Sequence, residues 1–139
     1  MIDQKVEFSK PFDLFNQWFD IAIKDPNIVE PTAMCLTTVN SSNKPSSRMV
    51  LLKKHNRDGF CFYTNLNSRK AQELNVNPFV ALCFYWGSLH KQIRIEGKSI
   101  VTISAIKPYF IESFKSDFFV IQKNINNKFN IKRGCINEI

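Results

Sequence analysis

The hydrophobic period of the chain changes near residue 33 from 3.6 to 2, and the segments that follow are too closely spaced to be joined by crossovers. Ala33-Met34-Cys35-Leu36-Thr37-Thr38-Val39 alternates as a strand does, and the turn-rich Asn40-Ser41-Ser42-Asn43-Lys44-Pro45 ends it. Residues 48–54 form a second strand, His55-Asn56-Arg57-Asp58-Gly59 turns the chain, and residues 60–64 return as a third, with Asp58-Gly59 as the hairpin signal. A doubly wound parallel sheet needs a long connection between each pair of strands. The expected architecture is therefore mainly β: a small antiparallel barrel or curled sheet of Greek-key type with flanking helices.

The remaining segments fit that plan. Leu14, Phe15, Trp18, Ile21 and Ala22 recur at helical spacing, with Pro11 in the first turn and Pro26 past the end, so a packing helix precedes the first strand. A short helix is expected over residues 68–76, stopped by Asn77-Pro78. Phe79-Val80-Ala81-Leu82-Cys83-Phe84-Tyr85-Trp86 reads as a fully apolar strand, and residues 91–101 alternate as a half-buried one, with Gly97 marking a bulge or bend. Residues 104–114 read as one more helix, with Pro108 in its first turn or interrupting it. Residues 115–139 read as a divergent, solvated tail on a single domain spanning 1–139.

A chain of 139 residues buries about 70% of the surface its unfolded form exposes, so a core is expected without disulfide or metal staples. No apolar run reaches the ~20 residues that cross a bilayer, and Met1-Ile2-Asp3-Gln4-Lys5-Val6-Glu7 is acidic where a signal peptide is basic. A soluble, cytoplasmic protein with no membrane partner is expected. Cys35, Cys61, Cys83 and Cys135 are far apart, which favours reduced thiols over a disulfide frame. His55 and His90 have no second ligand at i+3 or i+4, so no metal is expected. The net charge of +7 favours anionic partners. Part of it lies in the tail, and no aromatic RNA-binding motif or recognition helix accompanies it, so nucleic acid is not expected.

The charge with most content is local. In Asn67-Ser68-Arg69-Lys70-Ala71-Gln72-Glu73-Leu74 two cations stand where a helix begins. The first turn carries unbonded N–H groups and partial positive charge, so cations there are disfavoured by about 0.3–1 kcal/mol each unless an anion joins them. A bound phosphate resolves the conflict.

Arg48-Met49-Val50-Leu51-Leu52-Lys53, then Tyr63-Thr64-Asn65-Leu66-Asn67-Ser68-Arg69-Lys70, then Gln92-Ile93, stand in the order of a known family. With Glu30-Pro31-Thr32-Ala33-Met34, Asn77-Pro78 and Phe84-Tyr85-Trp86 around them, the sequence resembles the pyridoxine/pyridoxamine 5′-phosphate oxidases, FMN-binding split-barrel flavoproteins. The resemblance covers roughly the first four-fifths of the chain. It implies FMN contacts by Arg48, Met49, Val50, Leu51, Leu52, Lys53, Tyr63, Thr64, Arg69, Lys70 and Gln92, and a homodimer with FMN at the interface. It also implies oxidation of pyridoxamine or pyridoxine 5′-phosphate to pyridoxal 5′-phosphate with oxygen as acceptor. Lys53 is then the catalytic candidate, placed to stabilise negative charge developing on the flavin and to reach the substrate. Tyr109, in Tyr109-Phe110-Ile111-Glu112-Ser113, is the second substrate contact implied.

Two features cut across this reading. Arg48 and Lys53 are five residues apart, so on a flat strand they face opposite ways; a bulge, strong curvature, backbone contacts or a subunit boundary must reconcile them. The family's substrate-clamping arginine after Tyr109 is replaced by Ser113 or Phe114, and its C-terminal Trp, Arg and His positions have no counterpart, as in a C-terminally shortened relative. An oxidase of impaired activity, a relative with another substrate and a non-catalytic flavin binder remain open.

Overall fold

A computed structural model of the chain describes residues 11–56, 59–65, 67–101, 109–112, 118–123 and 129–133. In chain order these form α1 (Pro11–Lys24), β1 (Ala33–Val39), β2 (Pro45–Asn56), β3 (Gly59–Phe62), α2 (Arg69–Val76) and β4 (Phe79–Trp86). A 3-10 turn (Gly87–Leu89) then leads to β5 (Lys91–Val101), β6 (Tyr109–Glu112), β7 (Phe118–Lys123) and β8 (Phe129–Arg133). They fall into two compact units: residues 1–31, 83–95 and 115–139 in one, residues 32–82 and 96–114 in the other.

The second unit is built by short antiparallel returns. β1 and β2 pair from Ala33↔Leu51 to Val39↔Pro45, β2 pairs with β3, β3 with β6, and β6 with the end of β5. Each link is antiparallel, as the short connectors of β1–β2 and β2–β3 require. In β1 the alternation has its simple meaning: Met34, Leu36 and Thr38 are buried and the residues between them are not. In β2, Val50 and Leu52 point inward while Met49, Leu51 and Lys53 are exposed. The β2–β3 register slips where Leu52 pairs with Phe62 but Lys54 pairs with Cys61, so Lys53 is the extra residue of a bulge. The Ser99 N–H donates to the Pro78 carbonyl at 2.8 Å and fastens the end of β5 to the start of β4.

The first unit is held by aromatic rings. Phe12, Phe15, Trp18, Phe19 and Ala22 form the buried stripe of α1, and Ile21, a further periodic position, is 49% exposed. Phe15 stacks on Phe19 at 5.6 Å between centroids and packs tilted on Phe84 at 5.5 Å and Trp86 at 6.2 Å. The Trp86 indole N–H donates to the Pro31 carbonyl at 3.1 Å, which satisfies a polar atom that burial would otherwise strand. Past the end of α1, Asp25 accepts from the Ser88 hydroxyl at 2.7 Å and the Asn27 N–H at 2.8 Å; these bonds, Ser88 foremost, hold its carboxyl below the usual range. In the same unit β7 pairs with residues 91–95 of β5 and β8 pairs with β7, so two strands lie within the segment read as a solvated tail.

One expectation needs correction. Residues 109–112 are a strand: β6 lies between β3 and β5, with Phe62↔Tyr109 and Val101↔Tyr109 in register. A helix is the expectation there, but two sheet edges satisfy the backbone groups of β6, and Pro108 has no N–H to give a helix. The rest of that expected helix lies outside the described residues. β4, apolar throughout, is buried on one face only: Val80, Leu82, Phe84 and Trp86 are covered, while Phe79 and Tyr85 are about two-thirds exposed, at 66% and 65%.

Phe15 is fully buried among rings of its own unit. Phe15→Ala is expected to lower unfolding free energy by about 3–5 kcal/mol, while Ile21→Ala changes it by less than about 1 kcal/mol. Urea denaturation of the two variants checks the contrast.

Candidate functional site

The β1–β2 register sets Thr38 directly opposite Ser46 and Leu36 opposite Arg48. Arg48 folds back over this pair. Its Nη1 donates to Thr38 Oγ1 at 2.7 Å, the Ser46 carbonyl at 3.2 Å and the Leu36 carbonyl at 3.3 Å. Its Nη2 donates to Ser46 Oγ at 2.9 Å and to Glu73 Oε2 at 3.4 Å. Glu73 comes from α2 and is buried, at 6% exposure. The hydroxyls of Thr38 and Ser46 both donate to its Oε2, Ser46 at 2.9 Å, and Arg69 Nε donates to Oε1 at 2.9 Å.

The helix start is capped in part by a side chain of its own. Ser68 is the N-cap: its Oγ accepts from the Ala71 N–H at 3.3 Å and its carbonyl from the Gln72 N–H at 3.1 Å. The N–H groups of Arg69 and Lys70 come first in the helix and have no acceptor within it. The approach is folded by Asn65, whose carbonyl accepts from the Ser68 N–H at 3.0 Å and whose side chain accepts from the Asn67 N–H at 2.9 Å. Thr64 Oγ1 lies 3.4 Å from Ser68 Oγ.

The conflict of cations at a helix start is thus met partly from within. Glu73, one turn on, is a protein anion at i+4 from Arg69. The balance is still uneven. Arg48 and Arg69 share the Glu73 carboxylate and Lys70 follows Arg69 in the first turn, so three cations stand against one anion in this stretch, an excess of two positive charges. Arg69 is bonded to Glu73 through Nε, and its side chain is 72% exposed. A phosphate monoester carries close to the matching charge and suits the open N–H groups of the first turn.

Arg48, Arg69, Thr64 and the start of α2 are brought together in the second unit. Val50 and Leu52 have core side chains, and the Leu52 N–H donates to the Thr32 carbonyl at 2.9 Å. Met49, Leu51 and Lys53 lie on the opposite face of β2 from Arg48, so the parity difficulty is real, and the bulge falls at Lys53 itself. Tyr63 and Thr64, half-buried, leave β3 from the residue paired with Leu52. Through Leu52↔Phe62 and Phe62↔Tyr109, Tyr109 stands two strands from β2, at the level of the bulge. Gln92 is half-buried opposite Ile121 of β7, in the first unit. Cys35, Cys61 and Cys83 are thiols rather than disulfide halves, and burial pushes the Cys61 thiol up; Cys135 lies outside the described residues.

Sequence reasoning missed Glu73, Thr38 and Ser46. The i+4 spacing from Arg69 was a usable signal for Glu73; the two hydroxyls became visible only once the hairpin register was set.

The same chain trace occurs in solved structures. PhzG of Burkholderia lata, described in complex with tetrahydrophenazine-1-carboxylic acid, superposes with a TM-score of 0.70 over 95% of this chain and 96% of that one, at 16% identity. A pyridoxamine 5′-phosphate oxidase-related, FMN-binding protein of Nostoc punctiforme gives 0.60 over 89% and 97%, at 12% identity. The fold is therefore that of the split-barrel proteins, mainly β with two helices. A family model described as pyridoxamine 5′-phosphate oxidase matches residues 22–132, and the chain belongs to that family. Pyridoxine-5′-phosphate oxidase of Bos taurus is 53% identical over 87 residues, 63% of this chain and 33% of the relative. The pyridoxine/pyridoxamine 5′-phosphate oxidase of Ehrlichia ruminantium is 52% identical over 94 residues, 68% and 47%. The chain thus spans a third to a half of the length of these relatives. Among the described residues no helix is long and apolar enough to cross a membrane.

The Thr38 hydroxyl foremost, with Ser46 and Arg69 beside it, holds the Glu73 carboxyl down from its ordinary 4.5 to about 2, against burial, which pushes it up. A lowered folded-state value stabilises the protein above pH 4.5, and the contribution is lost as pH falls toward 2. Glu73→Gln is expected to cost about 3 kcal/mol at neutral pH, and its difference from the parent protein should shrink on acidification below 4.5. Urea midpoints of both proteins measured across that range check the sign.

Proposed function

We propose that this chain is an FMN-dependent oxidase of pyridoxamine or pyridoxine 5′-phosphate, forming pyridoxal 5′-phosphate with oxygen as acceptor. The observation that carries the reading is the pair of cations at a helix start whose first N–H groups have no acceptor within the helix, with Arg48 joined to them through Glu73. Arg69, Lys70 and those N–H groups hold the FMN phosphate, with Arg48 adding charge behind them. Thr64 lines the same helix start, and the main chain of residues 48–53, with Tyr63, follows the cofactor toward its ring. Gln92 donates to and accepts from the ring edge.

FMN, when bound, supplies the hydride acceptor and passes electrons to oxygen. Lys53 then has a defined task. It holds positive charge beside developing negative charge and reaches the substrate, and the bulge at this position supports a departure from the regular pleat; Tyr109, at the same level of the sheet, is the second substrate contact. The apolar Met49 and Leu51, exposed on the Lys53 face of β2, suit a homodimer with the cofactor at its interface. The three described thiols suit the cytoplasm.

The purified protein supplied with FMN is expected to show a bound-flavin absorbance spectrum that bleaches anaerobically on adding pyridoxamine 5′-phosphate. Failure to bind FMN would sink the proposal; bound flavin that no vitamer reduces would leave a non-catalytic flavin-binding split barrel instead. Arg69→Ala should weaken FMN binding by about tenfold to a hundredfold, the worth of a charge-assisted bond. Lys53→Met should leave FMN binding within about threefold and slow flavin reduction by at least about tenfold, read by stopped-flow absorbance.

A further inference from the structure

Apart from the Arg48 bonds to the Leu36 and Ser46 carbonyls, the hydrogen bonds in the Glu73 cluster run toward the carboxylate. Arg48 donates to the Thr38 and Ser46 hydroxyls, each hydroxyl donates onward to Glu73, and Arg48 and Arg69 also donate to it directly. Only an acceptor-only group satisfies four converging donors; an amide in that place turns an NH2 against either Arg69 or a hydroxyl. The carboxylate also lies between two guanidiniums, within 3.4 Å of Arg48 Nη2 and 2.9 Å of Arg69 Nε. Without it these cations repel each other, and Arg69, largely exposed, loses the contact that fixes its side chain.

Building on the FMN reading above, we propose that Glu73 is the positioning residue of the phosphate site: it holds Arg69 and Arg48 side by side, ready for the phosphate, without touching it. The Arg69 Nε–H is bonded inward, which directs the outer edge of its guanidinium away from Glu73. Thr38 and Ser46 orient the carboxylate and so act on the ligand at third hand. Glu73 therefore sets affinity for the phosphate-bearing end of the cofactor and leaves the ring end unaffected.

Two flavins separate this role from a purely structural one, because riboflavin has the ring and lacks the phosphate. In Glu73→Gln the dissociation constant for FMN, read by flavin fluorescence quenching, is expected to rise at least about tenfold while that for riboflavin stays within about twofold. Loss of both affinities together, or FMN binding that is unchanged or tighter, overturns the proposal. In the ligand-free parent protein the Arg69 Nε–H should give a distinct nuclear resonance that disappears in the variant. If the parent protein binds no FMN, the oxidase reading falls and inorganic phosphate decides the inference: a phosphate-dependent shift of the Arg69 resonance that Glu73→Gln abolishes supports it, and an equal shift in both proteins overturns it. If Glu73→Gln does not fold, Thr38→Val removes one donor at constant shape, and the same comparison should show FMN about threefold weaker with riboflavin unchanged.

Discussion

A carboxylate taken out of water must be met by donors or give up its charge, and the Glu73 side chain is met by four. Those donors come from β1, β2 and α2, segments separated by up to 35 residues in sequence, so one buried charge fixes three elements relative to one another within their unit. Arg48 is set by the same bonds. Its guanidinium lies over the Thr38–Ser46 pair because hydroxyls that donate to Glu73 have lone pairs left to accept from an arginine. The open helix start depends on this arrangement too, because a cation in the first turn of α2 is tolerable when an anion stands one turn further on.

β2 joins that polar cluster to the chemistry proposed for the chain. Its inward face carries Arg48, Val50 and Leu52, a cation followed by core residues; its outward face carries Met49, Leu51 and Lys53. Lys53 itself lies at the bulge where the ladder to β3 slips. Met49 and Leu51 on this strand, and Val76 and Phe79 in the same unit, are exposed apolar groups. The other unit is of a different kind, an aromatic cluster in which Phe15 touches Phe12, Phe19, Phe84 and Trp86.

Much of the ladder was legible because local chemistry and tertiary demand agree there. β1, β4 and β5 have the bounds expected from alternation and turn residues, and α2 begins one residue after the expected position because Ser68 is its cap. Where the two levels disagree, local reading failed. Residues 109–112 have apolar spacing that suits either period, and the free edges of β3 and β5 decided for a strand. The run of β4 is apolar on both sides, yet only one side is covered, a fact about neighbours that composition does not contain.

The sequence by itself determined the antiparallel plan, the cap and cations of α2, and membership of the family, because periodicity, turn chemistry and motif order are local properties of the chain. Only the tertiary structure decided what those cations face. Arg69 and Glu73 are neighbours by helical spacing alone, but Thr38, Ser46 and Arg48 reach the same carboxylate only when the hairpin is in register against α2. A buried charge is satisfied by convergence in space, and convergence is the property that linear spacing does not encode.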